Sequence, residues 1–271
     1  MELKLILTSF LGAIFFFYAF SVKCKLKIKR GLIIGTAIGV LTVFFINGIH
    51  YYFSNLNIFH LLIIEFVFII FMTILIVIRR FYRDPERIPP VKNNVILSPA
   101  DGTIRYIKKI EKGEVPFSTK KKNRFQLKEI TKTNLLNDGA FLIGIEMSVF
   151  DVHVNRAPVG GKIVFQKYTS GKFLSLRKIE SIFKNERLTT IIDSNGFQIG
   201  VVQIASRVVR RIVSYVKEED VIEIGQRIGM IKFGSQVDLV IPKLDEIKIN
   251  IRENDEVTAG VTVLATINQR Y

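Results

Sequence analysis

Two hydrophobic rhythms divide the chain. Residues 5–22 (LILTSFLGAIFFFYAFSV) and 31–49 (GLIIGTAIGVLTVFFINGI) contain no charged side chain, and 61–78 (LLIIEFVFIIFMTILIVI) contains only Glu65. Each run approaches the roughly 20 apolar residues that cross a bilayer core as a helix. Three membrane-spanning helices are therefore expected. A cleaved leader is the weaker reading of the first run, because only Lys4 stands against Glu2 ahead of it and no small-x-small site follows. Farther along, the rhythm shortens to strand-like segments punctuated by Gly, Pro, Asp and Asn. Strands are predicted at 102–110, 140–147, 161–169, 188–193, 197–204, 228–233, 237–241, 246–251 and 261–267, with one helix at 207–216.

Between the two regimes lies Arg83-Asp-Pro-Glu-Arg-Ile-Pro-Pro90, whose prolines bias their predecessors toward extended backbone. The expected organisation is a membrane anchor over 1–78, a linker over 79–97 and a β-rich domain over 98–271. Four segments share a form in which a small Gly-containing turn leads into a strand: Ser98–Ile104, Ala157–Ile163, Glu223–Gly229 and Val257–Val263. This weak repeat suits a compact sandwich or barrel-sandwich with few helices. A lipoyl- or biotinyl-type carrier would share that build, but it needs an exposed lysine at a hairpin tip, which no hairpin here offers.

Charge orients the anchor. Lys23, Lys25, Lys27, Lys29 and Arg30 join the first two spans, and Arg79, Arg80 and Arg83 follow the third, whereas 50–60 holds no Lys or Arg. The positive-inside rule then places the β domain in the cytoplasm, against the cell (inner) membrane. His50, Tyr51, Tyr52 and His60 fall where interfacial side chains are expected. The net charge is +15; with 6 basic and 2 acidic residues before residue 79, the remainder holds 33 and 22, a net +11. Such a surface is drawn to anionic headgroups. The densest cluster, Lys120–Arg124, lacks the aromatic interleaving or helix-turn-helix pattern of a nucleic-acid site, so no nucleic-acid partner is expected. Cys24 is the single cysteine and His153 the single histidine beyond the spans, which excludes an internal disulfide and a thiolate- or histidine-rich metal site. Glu65 is a candidate by virtue of its depth, though a partner helix is the plainer account.

One stretch resists the strand pattern. Ile231-Lys-Phe-Gly-Ser-Gln-Val-Asp-Leu-Val-Ile-Pro242 reads as a strand interrupted by Gly234-Ser235, a feature of either a bulge or a functional break. Taken with Phe81–Arg87 (FYRDPER), Ser98–Gly102 (SPADG) and Met147–Pro158 (MSVFDVHVNRAP), in this order after membrane spans, the chain resembles the phosphatidylserine decarboxylase proenzymes, in their short, pyruvoyl-dependent branch. Asn185-Glu-Arg187 and the stretches Gln203–Ala205 and Arg210–Ile212 are similar to that family as well.

The resemblance implies self-cleavage between Gly234 and Ser235. The Ser235 hydroxyl attacks the preceding carbonyl, and elimination and hydrolysis leave a pyruvoyl group on the new fragment. That group would form a Schiff base with phosphatidylserine and release phosphatidylethanolamine, with no metal. It implies His153 as base or proton donor and Asp101 as the acidic member of an Asp-His-Ser arrangement. Where the longer branch has a second histidine this chain has Arg156, which cannot act as a base near neutral pH. Either His153 covers both tasks or Asp101 acts on Ser235 more directly, and Arg156 becomes a candidate for binding the substrate phosphate or carboxylate. Implied partners are membrane phosphatidylserine and the chain's own two fragments, with a homo-oligomer left open. A related serine-headgroup ether lipid as substrate, and a non-enzymatic membrane-anchored β-sandwich adaptor, are the alternatives.

Overall fold

The computed structural model describes residues 3–24, 26, 28–91, 94–110, 117–118, 124–125, 139–172, 174, 181–205, 212–232, 235–242 and 246–267. The chain forms two compact units, one of residues 1–82 with 148–150, the other of 83–147 with 151–271.

The first unit holds three helices, α1 (Leu3–Lys23), α2 (Ile28–Tyr52) and α3 (Ile58–Phe81), each long and apolar enough to cross a membrane. α1 and α2 approach closely because Gly31, Gly35 and Gly39 recur every four residues along one face of α2. A Cβ on Gly35 would lie 3.1 Å from Ile14 Cα and Phe17 Cβ, and one on Gly39 3.0 Å from the Phe10 carbonyl. In lipid, where hydrophobic attraction between helices is absent, such close packing is what associates them. Glu65 is buried and accepts a 2.9 Å hydrogen bond from Ser9 Oγ, so this carboxylate joins α3 to α1. Asn57 caps α3 by accepting from the His60 amide at 3.1 Å.

The second unit is built on an eight-stranded antiparallel sheet. Its order is β11 (Val221–Ile222), β7 (Gly161–Thr169), β8 (Arg187–Ser194), β9 (Phe197–Ala205), β13 (Ser235–Pro242), β5 (Ala140–Met147), β2 (Gly102–Ile110), β15 (Glu256–Val257). Two three-stranded sheets accompany it. One is ordered β1 (Val95–Leu97), β16 (Val263–Ile267), β14 (Ile247–Ile249), and the other β10 (Ile212–Ser214), β12 (Arg227–Ile231), β6 (Val154–Arg156). Alternation along β13 sets its faces. Val237, Leu239 and Ile241 join the main core with Ile96, Ala157, Leu264 and Ala265, while Val240 joins a second cluster with Tyr106, Leu142 and Val202. The described residues also include a two-stranded ribbon, β3 (Phe117–Ser118) with β4 (Arg124–Phe125), and a short helix α4 (Ser181–Lys184).

The weak repeat in the sequence is a structural duplication. Gly102 and Gly161 open β2 and β7 with φ of 151° and 155°, and a Cβ on either would strike the carbonyl of Glu146 or Asp193 on the neighbouring strand. Both strands break register two residues later, at Ile104/Tyr106 and Ile163/Phe165. The Ile104 amide donates to Asp255 O and the Ile163 amide to Asp220 O, each at 2.9 Å. One half thus consists of β1, β2, β5 and β13–β16. The other, β6–β12, is inserted between β5 and β13. Asn195-Gly196, with φ of 51° and 90°, closes β8 and β9 into a tight hairpin. In the first half the equivalent hairpin, Met147 opposite Ser235, stands open and admits the whole second half.

Two expectations change. Residues 212–214 of the predicted helix form strand β10, because their backbone pairs antiparallel with Gly229–Ile231 of β12; 206–211 lie outside the described residues. The stretch 231–242 is not one interrupted strand. β12 ends at Ile231 in a three-stranded sheet and β13 begins at Ser235 in the eight-stranded one, so the chain changes sheets between these two strands. Gly234 itself, Phe233 and most of the basic cluster Lys120–Arg124 lie outside the described residues.

Candidate active site

Asp101 sits at the end of the turn between β1 and β2. Pro99 keeps the turn extended, and the Gly260 amide closes it by donating to Ser98 O at 2.8 Å. The carboxylate is nearly enclosed and accepts four hydrogen bonds. Arg87 grips it with both terminal nitrogens, Nη1 to Oδ1 at 2.6 Å and Nη2 to Oδ2 at 2.8 Å. The Ala259 amide donates to Oδ1 at 2.8 Å and the Val152 amide to Oδ2 at 3.4 Å. Paired bonds to a guanidinium are among the strongest a carboxylate can make, and they fix its plane.

Val152 leads directly into His153, whose side chain is fully buried. Its Nδ1 lies 2.9 Å from the Asp151 carbonyl. A carbonyl only accepts, so Nδ1 carries the proton and Nε2 is the basic nitrogen. Burial pulls the imidazole down to about 4, against the upward influence of the Asp151 carbonyl and of Asp101; Arg83 lowers it further. His153 is accordingly neutral at physiological pH, the state a base requires. Its own carbonyl accepts from the Ile231 amide at 3.2 Å, which ties it to the strand end leading toward residue 235.

Ser235 opens β13, the strand with full-length neighbours on both sides. It stands opposite Met147 of β5 and Ala205 of β9. Ala205 is held in turn by the NER segment: its amide donates to Glu186 O at 3.0 Å, and its carbonyl accepts from Asn185 Nδ2 at 3.0 Å. Asn185 also bonds both polar groups of the Leu174 backbone, at 2.8 and 2.9 Å. Glu186 is a buried carboxylate in the same turn.

The opposite face of β13 carries a second polar cluster. Tyr106 Oη donates to Asp238 at 2.9 Å, and Gln236 Nε2 donates to Asp238 Oδ1 at 2.6 Å and to Tyr106 Oη at 2.8 Å. Arg105 completes it by donating to Gln236 Oε1 at 3.0 Å. Burial pushes Asp238 up to about 6, against those hydrogen bonds and the nearby Arg187 and Arg105. Burial likewise pulls the fully buried Arg187 down to about 10, with Asp238 opposing.

Asp101 and His153 thus meet through the backbone of Val152, and His153 reaches the approach to Ser235 through Ile231. Arg156 is engaged elsewhere. Its guanidinium donates to Gly225 O at 3.0 Å, Pro85 O at 3.1 Å and Asp84 Oδ1 at 3.3 Å, fastening the linker to the β11–β12 turn. Arg227 joins the same group, paired at 2.5 Å with both Asp84 and Glu86. Sequence reasoning assigned Arg87 and Asn185 to motifs without a role. The signal was available for Arg87, as a lone arginine within a proline-bounded acidic turn, but its partner is 14 residues away and set only by the fold.

The sequence profile of the family described as phosphatidylserine decarboxylase matches residues 74–265. A protein of Methanocaldococcus jannaschii named "Putative archaetidylserine decarboxylase proenzyme" is 44% identical over 187 residues, covering 68% of this chain and 87% of the relative. The phosphatidylserine decarboxylase proenzymes of Geotalea uraniireducens and Geobacter sulfurreducens are 34% and 35% identical over 198 residues. They cover 73% of this chain and 82% and 80% of their own lengths. The chain belongs to the phosphatidylserine decarboxylase family.

Proposed function

We propose that this chain is a proenzyme that cuts itself between Gly234 and Ser235 and then decarboxylates phosphatidylserine to phosphatidylethanolamine, with its β domain on the cytoplasmic face of the cell membrane. The observation that carries the reading is the linked set Asp101–Val152–His153–Ile231. A firmly held carboxylate accepts from the amide next to a buried neutral imidazole, and the His153 carbonyl accepts from the Ile231 amide at the strand end before Ser235.

In self-processing, His153 takes the proton from the Ser235 hydroxyl as its oxygen attacks the Gly234 carbonyl. The peptide bond becomes an ester. Elimination frees residues 1–234 as a carboxylate, and hydrolysis of the remaining 235 end releases ammonia and leaves a ketone. Asp101 steadies the cation that forms on His153. Residue 235 fits a pyruvoyl group because its carboxyl side is anchored between β5 and β9 while its amino side enters the crossing between sheets. That group would supply the carbonyl that draws off the electron pair left by departing carbon dioxide. His153 then returns a proton to the substrate carbon. Arg156, fastened to the linker, bears on substrate binding by holding the linker at the site.

The substrate backbone has a second reading. Two relatives at 44% and 40% identity carry the archaetidylserine name, which points to a serine headgroup on an ether lipid. Both readings are tested by supplying purified protein with diacyl and dialkyl-ether phosphatidylserine in mixed micelles and following carbon dioxide release. Release from either, absent in Ser235→Ala, supports the enzyme, and the faster substrate sets the backbone. No release from either rejects it in favour of an adaptor.

A further inference from the structure

The linker motif Asp84-Pro-Glu-Arg87 does more than connect. Arg87 is nearly buried, and both terminal nitrogens of its guanidinium are engaged: Nη1 donates to Asp101 Oδ1 at 2.6 Å and to the Ala259 carbonyl at 2.8 Å, while Nη2 donates to Asp101 Oδ2 at 2.8 Å. The Ala259 amide closes the ring by donating to Asp101 Oδ1 at 2.8 Å. Three distant stretches therefore meet at one carboxylate: the linker, the Asp101 turn and a turn of the segment 235–271. Asp101 Oδ2 accepts from the Val152 amide, one residue before His153. The direction of that carboxylate is set by Arg87.

We propose that Arg87 is a positioning residue for self-processing, acting through Asp101: by holding both carboxylate oxygens it orients Asp101 against the His153 turn and seats the Ala259 turn beside it. The proposal rests on the reading that the chain cuts itself at Ser235. Its chemistry is specific to a planar fork, since a lysine ammonium matches the charge but not two parallel bonds. Asp84 and Glu86 hold Arg156 and Arg227 instead, so the neighbouring acids do not compete for Arg87.

The test follows the half-time of chain cutting by intact mass in detergent, with melting temperature alongside, for wild type, Arg87→Ala and Arg87→Lys. Arg87→Ala is expected to slow cutting at least tenfold. Guanidinium ion at tens of millimolar should restore part of the rate, while sodium chloride at equal ionic strength should not. Arg87→Lys should fold and cut several-fold more slowly than wild type. Cutting of Arg87→Ala at the wild-type rate, or a slowing that guanidinium fails to relieve, overturns the proposal. Should Arg87→Ala not melt cooperatively, Arg87→Lys decides: a wild-type rate there overturns it. A wild-type chain that never cuts refutes the processing reading itself, a result separable from any effect of Arg87.

Discussion

At the scale of single residues, the proposed chemistry turns on how a buried histidine is kept neutral. With His153 held near 4 by burial, its charged form is disfavoured in the folded protein, so this contribution to stability is complete above about 6.5 and lost as pH falls through 4. For the same reason the acid limb of the cutting rate, measured by intact mass between pH 4 and 8, is expected well below 6.5. An acid limb at 6.5 would mean that the imbedded environment does not govern the reacting state. Arg156→Ala should lower the melting temperature, because three charged hydrogen bonds disappear, two to the linker and one to the β11–β12 turn; each such bond is worth roughly 1.5–3 kcal/mol. It should also raise the apparent KM. A variant that cuts normally with unchanged KM would remove Arg156 from substrate binding. Motifs in the sequence single out Asp101, His153 and Ser235 as candidates. Their coupling was not legible there, because it runs through the backbone amides of Val152 and Ile231, which no side-chain pattern announces.

Strands show the same division between what a pattern announces and what only packing decides. β2, β5, β7, β8 and β9 stand where alternation and turn residues placed them, since each has one face in the main core. β10 was missed because three residues hydrogen-bonded to a partner far along the chain leave no periodic trace. β13 was read from its apolar face, yet its other face buries Gln236 and Asp238 against Tyr106, whose ring fits over β5 only because residue 144 is glycine. Burial raises Asp238 from 3.8 to about 6, so protonation favours the folded state. That contribution is complete below 3.8 and gone above 6. Tyr106→Phe removes a donor to the carboxylate and should therefore destabilise more at pH 8 than at pH 5, by about 1–3 kcal/mol at the higher pH. Thermal melts in the uncut Ser235→Ala background read this directly. An equal loss at both pH values would show that Asp238 does not change charge between them.

At the scale of the whole molecule, the duplication would let a chain cut before residue 235 stay assembled. The open hairpin between Met147 and Ser235 is the joint where the second half was inserted, so cutting there severs no strand. β13 keeps a hydrogen-bonded neighbour on each side, and β15 and β16 stay paired with β2 and β1. The fragment 235–271 should co-purify with 1–234 in detergent and separate only in denaturant. Separation under mild conditions would contradict the assigned pairing. On the proposed reading, three helices long and apolar enough to cross a membrane and a net +11 on the remainder would draw the domain toward an anionic surface. Protease added to inside-out vesicles should digest the β domain, whereas protection there would reverse the orientation. The anchor was legible from apolar run length alone, and the duplication only faintly, because its two halves share turn geometry more than residue identity.

The central claim is that Ser235 becomes the working group of this protein, and the most direct test is the intact mass of the purified wild type beside Ser235→Ala. Self-processing predicts two wild-type fragments, 1–234 and 235–271, the second blocked at its amino terminus and lacking the amine nitrogen, against one uncut chain in the variant. A single uncut chain in both would contradict it and leave a membrane-anchored β domain with a glycine at the crossing between its sheets.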